Sequence, residues 1–438
     1  MRKPSQRLAI LAVLALFVGV SAWFAPGAFA DNTFTIAVIP DTQNYVDNTK
    51  PQPASTQEFN AETQYLAENK AFFNLVFVTH VGDVVQNGDG TNGAGDITTY
   101  GNGAEWNRGL AAMQILADAG IPFGMSIGNH DYDNYAYVTG SRPLVSTKMW
   151  VKYFGSKSSL FAGKPWYGGA SDNLSYDPGL SSYQTFQAGG KNFLHISLQM
   201  EASDAALAWA QGVVSTHPGY ATIVTTHSYM SPPAAGDMSP PLAVPASLNA
   251  AAYLTTTGSC TGAPQGATSP GGCNSAQQVW DKFISKNDQI FLVICGHSWN
   301  SPVNGISQGE NIRIDNNLAG HPVYQVLTDY QGNLTAHDGS IPTASTEDPG
   351  GDGYIRLMQF NMDAGTIHFS TYSPIMNSGK GKAAGLDGED TFNQPAAFSD
   401  FYEEPMPIQV LKASSVSLPG NPKSLNPGLS ALAPLQRQ

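Results

Sequence analysis

Five short runs of apolar and β-branched residues recur along the chain, and each stops at side chains that can bind a metal ion or move a proton. Between them, helical patterns occupy 56–73, 104–119, 203–214 and 275–286. This alternation predicts β-α-β units and therefore a sheet with parallel strands. The runs and the residues that follow them are 34–40 before Asp41, 74–82 before Asp83, 121–128 before Asn129, His130 and Asp131, 220–226 before His227, and 289–296 before His297.

The carboxyl ends of neighbouring parallel strands meet at one edge of a sheet, so residues far apart in sequence are expected to converge there. An Asp or Asn after one strand is commonly a turn residue, and one isolated His is more often structural. The repetition of the pattern at five strand ends favours a common site over five unrelated turns. We therefore predict that the residues after the five runs lie together.

Residues 1–30 have the pattern of a secretory signal peptide, in which basic residues precede the apolar run 8–24 and a small-residue sequence ends at Ala30. Cleavage near Ala30 predicts a secreted or periplasmic protein with no stable membrane span. The alternative, an uncleaved anchor, is disfavoured because the apolar run is only marginally long enough to cross a membrane.

Residues 31–412 are predicted to form one domain, followed by a disordered tail at 413–438 that is rich in Ser, Pro, Leu and Asn. Within the domain, residues 231–274 form an insertion rich in Pro, Ala, Gly and Ser. Two interpretations of the insertion stay open: a lid that hangs over the site and sets specificity, or a passive surface excursion.

Charge and cysteine content narrow the function classes. The formal net charge is −13, and an acidic surface repels nucleic acid, so no nucleic-acid partner is expected. Cys260 and Cys273 flank a Gly/Pro/Ser-rich loop, and in an oxidising compartment they are predicted to form a disulfide. Cys295 lies within an apolar run and is predicted to be a buried thiol, which disfavours a cysteine hydrolase.

The residue types at the strand ends predict metal chemistry. Two carboxylates, an amide oxygen and two imidazoles suit divalent first-row metals or Mg²⁺ better than a thiolate zinc site does. A carboxylate such as Asp83 can bridge two ions that clamp a phosphoryl group and lower the pKa of a bound water. An imidazole beside the ions can then protonate the leaving oxygen.

At these positions the chain resembles, motif by motif and in order, the calcineurin-like metallophosphoesterases. The motifs are D-T-Q at 41–43, G-D-V-V-Q-N at 82–87, G-N-H-D at 128–131, T-T-H ending at His227, and G-H-S-W at 296–299. Segments 324–333 and 353–374 resemble the closing strands of secreted members with a D-T-Q first motif. The resemblance covers 34–408 and implies an α/β fold, a four-layer α/β/β/α sandwich of two mixed β-sheets, with two divalent cations at a dinuclear-type site.

The resemblance also implies ligands. The second cation would be held by the complete set Asp83, Asn129, His227 and His297, with Asp83 as the bridge to the first cation. The first cation would be held by Asp41, Gln43 and Asp83. Mn, Zn, Fe, Mg and Ca are not distinguished by this set.

Two departures from the family pattern fall on the first cation. The family normally has histidines at positions 43 and 299, but this chain has Gln43 and Trp299. An amide oxygen can coordinate a hard cation, whereas an indole N–H cannot be a ligand. We therefore predict a harder or more weakly held first cation, with water or another side chain completing its shell. The candidates are Asn44 and Asn300, nearby in sequence, and the more remote His80, His195, His321 and His368.

By the same resemblance, His130, Asp131 and Gln86 are the predicted catalytic residues, and His130 would be the general acid. Many members orient that histidine with an acidic residue three positions after the bridging Asp, but this chain has Gln86 there. An amide can still accept a hydrogen bond from the imidazole ring. The carboxylate partner is nevertheless missing.

The leading hypothesis is an exported metal-dependent phosphoester hydrolase, a phosphatase or phosphodiesterase, that uses a metal-bound hydroxide on a small phosphoester substrate. Within that class, a nucleotide or phospholipid head-group diesterase is the runner-up. The hypothesis from another class is a metal- or ligand-binding protein that keeps the fold but has weak or no turnover because its first metal site is altered.

Overall fold

The structure is a computed structural model of the chain. It describes residues 32–47, 54–88, 103–133, 147–175, 178–232, 248, 273–299, 309–331, 351–375 and 392–395. The predicted signal peptide, nearly all of the 231–274 insertion and the predicted tail lie outside these ranges. Among the described helices, none is long and apolar enough to cross a membrane.

Two mixed β-sheets form the centre of the fold. The first has the order β13-β12-β11-β1-β2-β3 and the second the order β4-β5-β6-β7-β8-β10-β9. The strands are β1 (Thr33–Ile39), β2 (Leu75–His80), β3 (Phe123–Met125), β4 (Tyr167–Ala170), β5 (Ser182–Ala188), β6 (Lys191–Ser197), β7 (Ala221–Ser228), β8 (Ile290–Gly296), β9 (Glu310–Asn316), β10 (Pro322–Thr328), β11 (Ile355–Asn361), β12 (Thr366–Tyr372) and β13 (Phe392–Pro395).

Each sheet combines a group of parallel strands with antiparallel strands. In the first sheet, β1 and β2 are parallel, as are β2 and β3, while β1 and β11 are antiparallel. In the second sheet, β6, β7, β8 and β10 run parallel, while β5 pairs with β6 and β9 with β10 in the antiparallel sense. All five predicted runs lie in the parallel groups.

The helices lie close to the predicted patterns. They are α1 (Gln43–Val46), α2 (Ala54–Glu68), α3 (Lys70–Phe73), α4 (Ala104–Asp118), α5 (Lys148–Phe154), α6 (Asp204–Thr216) and α7 (Ala276–Lys282). Both α6 and α7 begin after a serine whose hydroxyl accepts a main-chain N–H, Ser203 from Ala206 and Ser275 from Gln278. These N-caps satisfy donors that a helix start leaves without partners.

The core is divided into three apolar layers because the side chains of each strand alternate between two faces. Along β1, Phe34, Ile36 and Val38 pack between the two sheets, whereas Ala37 and Ile39 pack under the helices on the outer face of the first sheet. A third layer lies between the second sheet and α6 and α7. The predicted four-layer α/β/β/α sandwich is therefore confirmed.

The described cysteines agree with the sequence analysis. Cys273 is disulfide-bonded, although Cys260, its predicted partner, lies outside the described residues. Cys295 is free and buried in the core beneath α6 and α7. Burial raises the pKa of its thiol well above the ordinary value, so this cysteine is not a poised nucleophile.

Candidate metal centre

The predicted strand-end residues meet, but not at the edge of one sheet. β1, β2 and β3 belong to the first sheet, whereas β7 and β8 belong to the second. The expectation of a single shared edge was therefore wrong. The carboxyl ends of the two sheets instead come together at one end of the sandwich, where Asp83 Oδ2 of the first sheet lies 3.2 Å from His227 Nε2 of the second.

The turns that present these residues have unusual backbone geometry. Asp83 and His297 have positive φ angles of 51° and 71°, a conformation that non-glycine residues rarely adopt and that is concentrated at functional sites. Gly128 packs against the carboxylate of Asp83, and Gly296 packs against that of Asp41, so closely that a Cβ at either position would overlap it. Glycine is needed at both turns for this approach.

Three side chains converge on one nitrogen of His227, which makes a group of four residues. Its Nε2 lies 3.2 Å from Asp83 Oδ2, 3.1 Å from Asn129 Oδ1 and 3.2 Å from His297 Nδ1. One ligand atom each from Asp83, His227 and His297 lies within 4.8 Å of the other two. We call these four residues the nitrogen-containing half of the site.

The hydrogen bonding of His227 fits a bound cation. Its Nδ1 lies 3.0 Å from the main-chain oxygen of Val81, which can only accept, so Nδ1 carries the hydrogen. In the neutral ring, Nε2 is then an acceptor that faces the oxygens of Asp83 and Asn129. Acceptors so close together need a shared cation or proton. Metal-binding histidines commonly donate their second N–H to a main-chain carbonyl in this way.

Strong charge interactions act within this half. Burial lowers the pKa of His227, but the carboxylates of Asp83 and Asp41 outweigh burial and raise it to about 10. Burial and the nearby His227 lower the pKa of His297 to about 3. A proton on His227 and a divalent cation therefore compete for the same place.

A second set of side chains, made of carboxylate and amide groups, lies beside the same oxygen of Asp83 that His227 contacts. Gln43 is 1% exposed, and its Nε2 lies 3.4 Å from Asp83 Oδ2. Its Oε1 is buried without a hydrogen-bond partner among the described residues. Asp41 is also buried and accepts the main-chain N–H of His297 at 3.1 Å. A buried amide oxygen without a donor, beside two carboxylates, fits a hard cation.

The turn after β10 brings two further side chains to this half, which sequence analysis missed. Gln331 Nε2 lies 2.9 Å from Asp329 Oδ2 and 3.5 Å from Asp41 Oδ1, and Gln331 Oε1 accepts from Gln43 Nε2. The signal was present in the T-D-Y-Q sequence after an apolar run, the same pattern as at the other strand ends. We call Asp41, Gln43, Asp83, Asp329 and Gln331 the oxygen half of the site.

Other candidates for the first cation have different contacts. Trp299, which occupies one of the usual histidine positions but cannot be a ligand, is 41% exposed. His80 Nε2 lies 3.0 Å from Thr42 Oγ1, His195 bonds Gln184 and Thr225, and His321 contacts the carboxylate of Asp288. These contacts give the three histidines structural roles, and Asn300 lies outside the described residues.

His130 lies beside the bridging carboxylate. Its main-chain N–H donates to Asp83 Oδ1 at 2.9 Å, and its ring Nε2 lies 3.9 Å from Asp83 Oδ2. Its Nδ1 donates to the main-chain oxygen of Gln86 at 2.9 Å. We expected the side chain of Gln86 to accept from the ring, but the carbonyl of the same residue does so. This bond leaves Nε2 as the nitrogen that can take up or release a proton.

Two buried carboxylates hold the loops around His130. Asp131 accepts the N–H groups of Val84, Val85 and Gly128 at 2.8, 3.1 and 2.9 Å, which favours a positioning role over contact with substrate. Glu105, on α4, accepts the N–H groups of Gln86 and Asn87 at 3.0 and 2.8 Å. The role of Glu105 could not be predicted from the sequence, because no motif links this residue to the loop that it holds.

The chain contains two Gly-x-Ser-x-Gly segments, at 124–128 and 305–309, a pattern typical of serine nucleophiles. Ser126 is fully buried, and its hydroxyl donates to the main-chain oxygen of Thr225 at 2.8 Å. It therefore cannot meet a substrate. Ser307 lies outside the described residues.

Comparison with known proteins supports the same chemistry. Residues 34–299 match the family described as calcineurin-like phosphoesterase. The uncharacterized protein YvnB of Bacillus subtilis (strain 168) is 24% identical over 350 residues, which are 79% of this chain but 20% of that protein. The chain therefore spans about a fifth of the length of this relative.

Two solved structures are similar at low identity. Purple acid phosphatase PPD1 from yellow lupin (Lupinus luteus) seeds is 12% identical with a TM-score of 0.39, covering 88% of this chain and 58% of that one. GAP50, the anchor in the inner membrane complex of Plasmodium, is 12% identical with a TM-score of 0.34, covering 82% of this chain and 87% of that one.

Proposed function

Since the chain belongs to the calcineurin-like phosphoesterase family, we propose that it is an exported phosphoric ester hydrolase that uses two divalent cations. The observation that carries this proposal is the convergence of Asp83, Asn129 and His297 on Nε2 of His227, at 3.1 to 3.2 Å. Asp83 Oδ2, Asn129 Oδ1 and Nε2 of neutral His227 are all acceptors, so these three atoms share no hydrogen unless His227 is protonated. Together with His297 they are the ligand types of a divalent metal.

The two halves of the site would hold one cation each. The nitrogen-containing half would supply two imidazoles, an amide oxygen and the carboxylate of Asp83 to one cation. Asp41, Gln43 and the shared Asp83 would hold the other. When bound, the cations withdraw charge from a phosphoryl oxygen and acidify a water. Asp83 is therefore the residue whose removal affects both.

The protein's own proton chemistry is assigned to His130. The Gln86 carbonyl fixes its Nδ1–H at 2.9 Å, so the ring presents Nε2 toward Asp83 and the substrate position. A proton on Nε2 passes to the ester oxygen as the P–O bond breaks, which avoids release of an alkoxide. The histidine side chain is 16% exposed, enough to exchange that proton with solvent afterwards.

The substrate class is a small phosphoester, and export rests on the signal-peptide pattern at 1–30. The competing proposal is a binding protein with weak or no turnover, and the observation that favours it is the absence of imidazole at positions 43 and 299. Either proposal keeps the same ligand residues, so only turnover distinguishes them.

The test is hydrolysis of p-nitrophenyl phosphate and bis(p-nitrophenyl) phosphate by chelator-treated mature protein, supplied separately with Mn²⁺, Zn²⁺, Mg²⁺ and Ca²⁺. Asn129→Ala is the blank, because it removes a ligand without adding charge. We expect metal-dependent turnover that falls to background in the blank, and the preferred ester would distinguish phosphatase from diesterase. No turnover with any metal, alone or in pairs, would reject the hydrolase in favour of the binding protein.

A further inference from the structure

The oxygen half of the site is organised by the turn that follows β10. This turn contains Asp329, Tyr330 and Gln331, and it approaches the turn after β1 from the second sheet. Asp329 is fully buried, and both of its carboxylate oxygens accept from Gln331: Oδ1 from the main-chain N–H at 3.0 Å and Oδ2 from Nε2 at 2.9 Å. Asp329 and Gln331 therefore form one unit.

Gln331 connects this unit to the predicted ligands of the first cation. Its Nε2 lies 3.5 Å from Asp41 Oδ1, and its Oε1 accepts from Gln43 Nε2. Its main-chain oxygen accepts from Asn44 Nδ2 at 3.4 Å. The amide of Gln43 in turn lies 3.4 Å from Asp83 Oδ2. Gln331 therefore contacts Gln43, one of the two departures from the usual ligand set.

Tyr330 fixes the turn from its other side. Its hydroxyl accepts from Arg356 Nε at 3.0 Å and Nη2 at 2.8 Å and bonds Thr371 Oγ1 at 2.9 Å. Arg356 is itself buried and pairs with Glu310 at 2.9 Å. The positions of Asp329 and Gln331 are therefore set by the packed interior, as ligand positions need to be.

A separate observation indicates a ligand here. Oε1 of Gln43 is buried and has no hydrogen-bond donor in the described part of the chain, while the same amide touches both Asp83 and Gln331. Burying an amide oxygen without a partner costs about 1 to 3 kcal/mol. A cation beside Asp41 and Asp83 would supply the missing partner.

We propose that Asp329 and Gln331 complete the first cation site in place of the two imidazoles, so that this site is built from oxygen ligands only. The inference deepens the proposed function, because it concerns the same site, and it assigns two residues that the motif resemblance does not. Oxygen ligands select Mg²⁺, Ca²⁺ or Mn²⁺, whereas imidazoles favour Zn²⁺ and other borderline metals. The two halves are therefore expected to prefer different metals.

The experiment measures binding without substrate, by equilibrium dialysis with elemental analysis and by titration calorimetry, on chelator-treated mature protein with Ca²⁺ and Zn²⁺ in turn. The variants are Asp329→Asn, Gln331→Ala and Gln331→Glu. Asp363→Asn is the matched control, because it removes one carboxylate charge from an exposed position outside the site. His297→Ala weakens the other half for comparison.

We expect wild-type protein to bind one Zn²⁺ tightly in the nitrogen-containing half and Ca²⁺ in the oxygen half. Asp329→Asn and Gln331→Ala should weaken Ca²⁺ by about 10- to 100-fold and leave the tight Zn²⁺ unchanged. Gln331→Glu should tighten Ca²⁺ by about tenfold, because it adds a charge to the ligand set. A merely structural role for Gln331 would not produce that gain.

Unchanged Ca²⁺ affinity in both Gln331 variants would overturn the inference, even if Asp329→Asn failed to fold. The inference would also be overturned if a folded variant bound Ca²⁺ and Zn²⁺ more weakly by the same factor. Failure of the proposed function has a different signature: the predicted binding pattern with no turnover would leave the inference standing and reject the hydrolase. If Asp329→Asn kept turnover and still bound two ions, the hydrolase proposal would stand and the inference would be overturned.

Discussion

The two halves of the strand-end site share Asp83 but are built from different atoms. In one half, Nε2 of His227 is surrounded by Asp83, Asn129 and His297 at 3.1 to 3.2 Å. In the other half, the amide of Gln43 contacts Asp83, and the amide of Gln331 contacts Asp41 and Asp329. A family resemblance scored by motif would count the second half as damaged. Its packing brings together a different set of oxygen-bearing side chains, which we propose as ligands.

The difference teaches that a lost ligand can be replaced from another element. Trp299 is 41% exposed, so the position that normally supplies an imidazole faces solvent. The space toward Asp41 is approached instead by Gln331, from the turn after β10. A motif describes residues that are close in sequence, whereas a cation recognises whichever ligands are close in space.

The largest expected effect is on the nitrogen-containing half. His297→Ala removes an imidazole that lies 3.2 Å from His227, and we expect turnover to fall by about 100-fold or more, together with loss of tight Zn²⁺ binding. Steady-state hydrolysis and elemental analysis measure the two effects. His321→Ala is the matched control, because it removes a histidine that pairs with Asp288 elsewhere. Full activity in His297→Ala would remove this half from the site.

The second-largest expected effect comes from removing the proposed proton donor while keeping every proposed metal ligand. His130→Ala removes the ring whose Nε2 lies near Asp83 but none of the proposed ligands. We expect turnover of alkyl phosphates to fall by about 100-fold, and that of p-nitrophenyl esters much less, because p-nitrophenolate leaves without a proton. Metal content should stay that of wild type. Equal losses on both substrates would reject His130 as the general acid.

The smallest expected effect comes from a substitution that makes the oxygen half more like the nitrogen-containing half. Gln43→His places an imidazole where the family usually has one, and we expect the oxygen half to bind Zn²⁺ about tenfold more tightly. Competition between Zn²⁺ and Ca²⁺ measures the change. Gln64→His, on the partly buried face of α2, is the control for adding a histidine elsewhere. Unchanged competition would mean that position 43 is not a ligand position.

Much of the fold could be predicted from local pattern. The five apolar runs correspond to β1, β2, β3, β7 and β8, and four helical patterns correspond to helices. The assignment of those runs to one sheet was wrong, because periodicity predicts a strand but not its neighbours. The second sheet also contains β4 and β5, whose sequences have Gly or Gln in place of continuous apolar runs, so the pattern did not separate them from loops.

The convergence of side chains was predictable where a polar residue follows its own strand directly. Asp83, Asn129, His227 and His297 were found because each ends an apolar run. Asp329 and Gln331 also follow an apolar run. An Asp after a strand is commonly a turn residue, and the sequence does not show that this turn lies beside Gln43. Glu105 acts only through the N–H groups of a loop on another element. That relationship depends on packing, which no local pattern contains.

The most direct test of the difference between the two halves is anomalous X-ray diffraction from crystals of protein equilibrated with both Zn²⁺ and Mn²⁺, recorded on either side of the zinc edge. The account predicts zinc among Asp83, Asn129, His227 and His297, and manganese without zinc beside Asp41, Gln43 and Gln331. Zinc at both positions, or a second ion with no contact to Asp329 or Gln331, would contradict it.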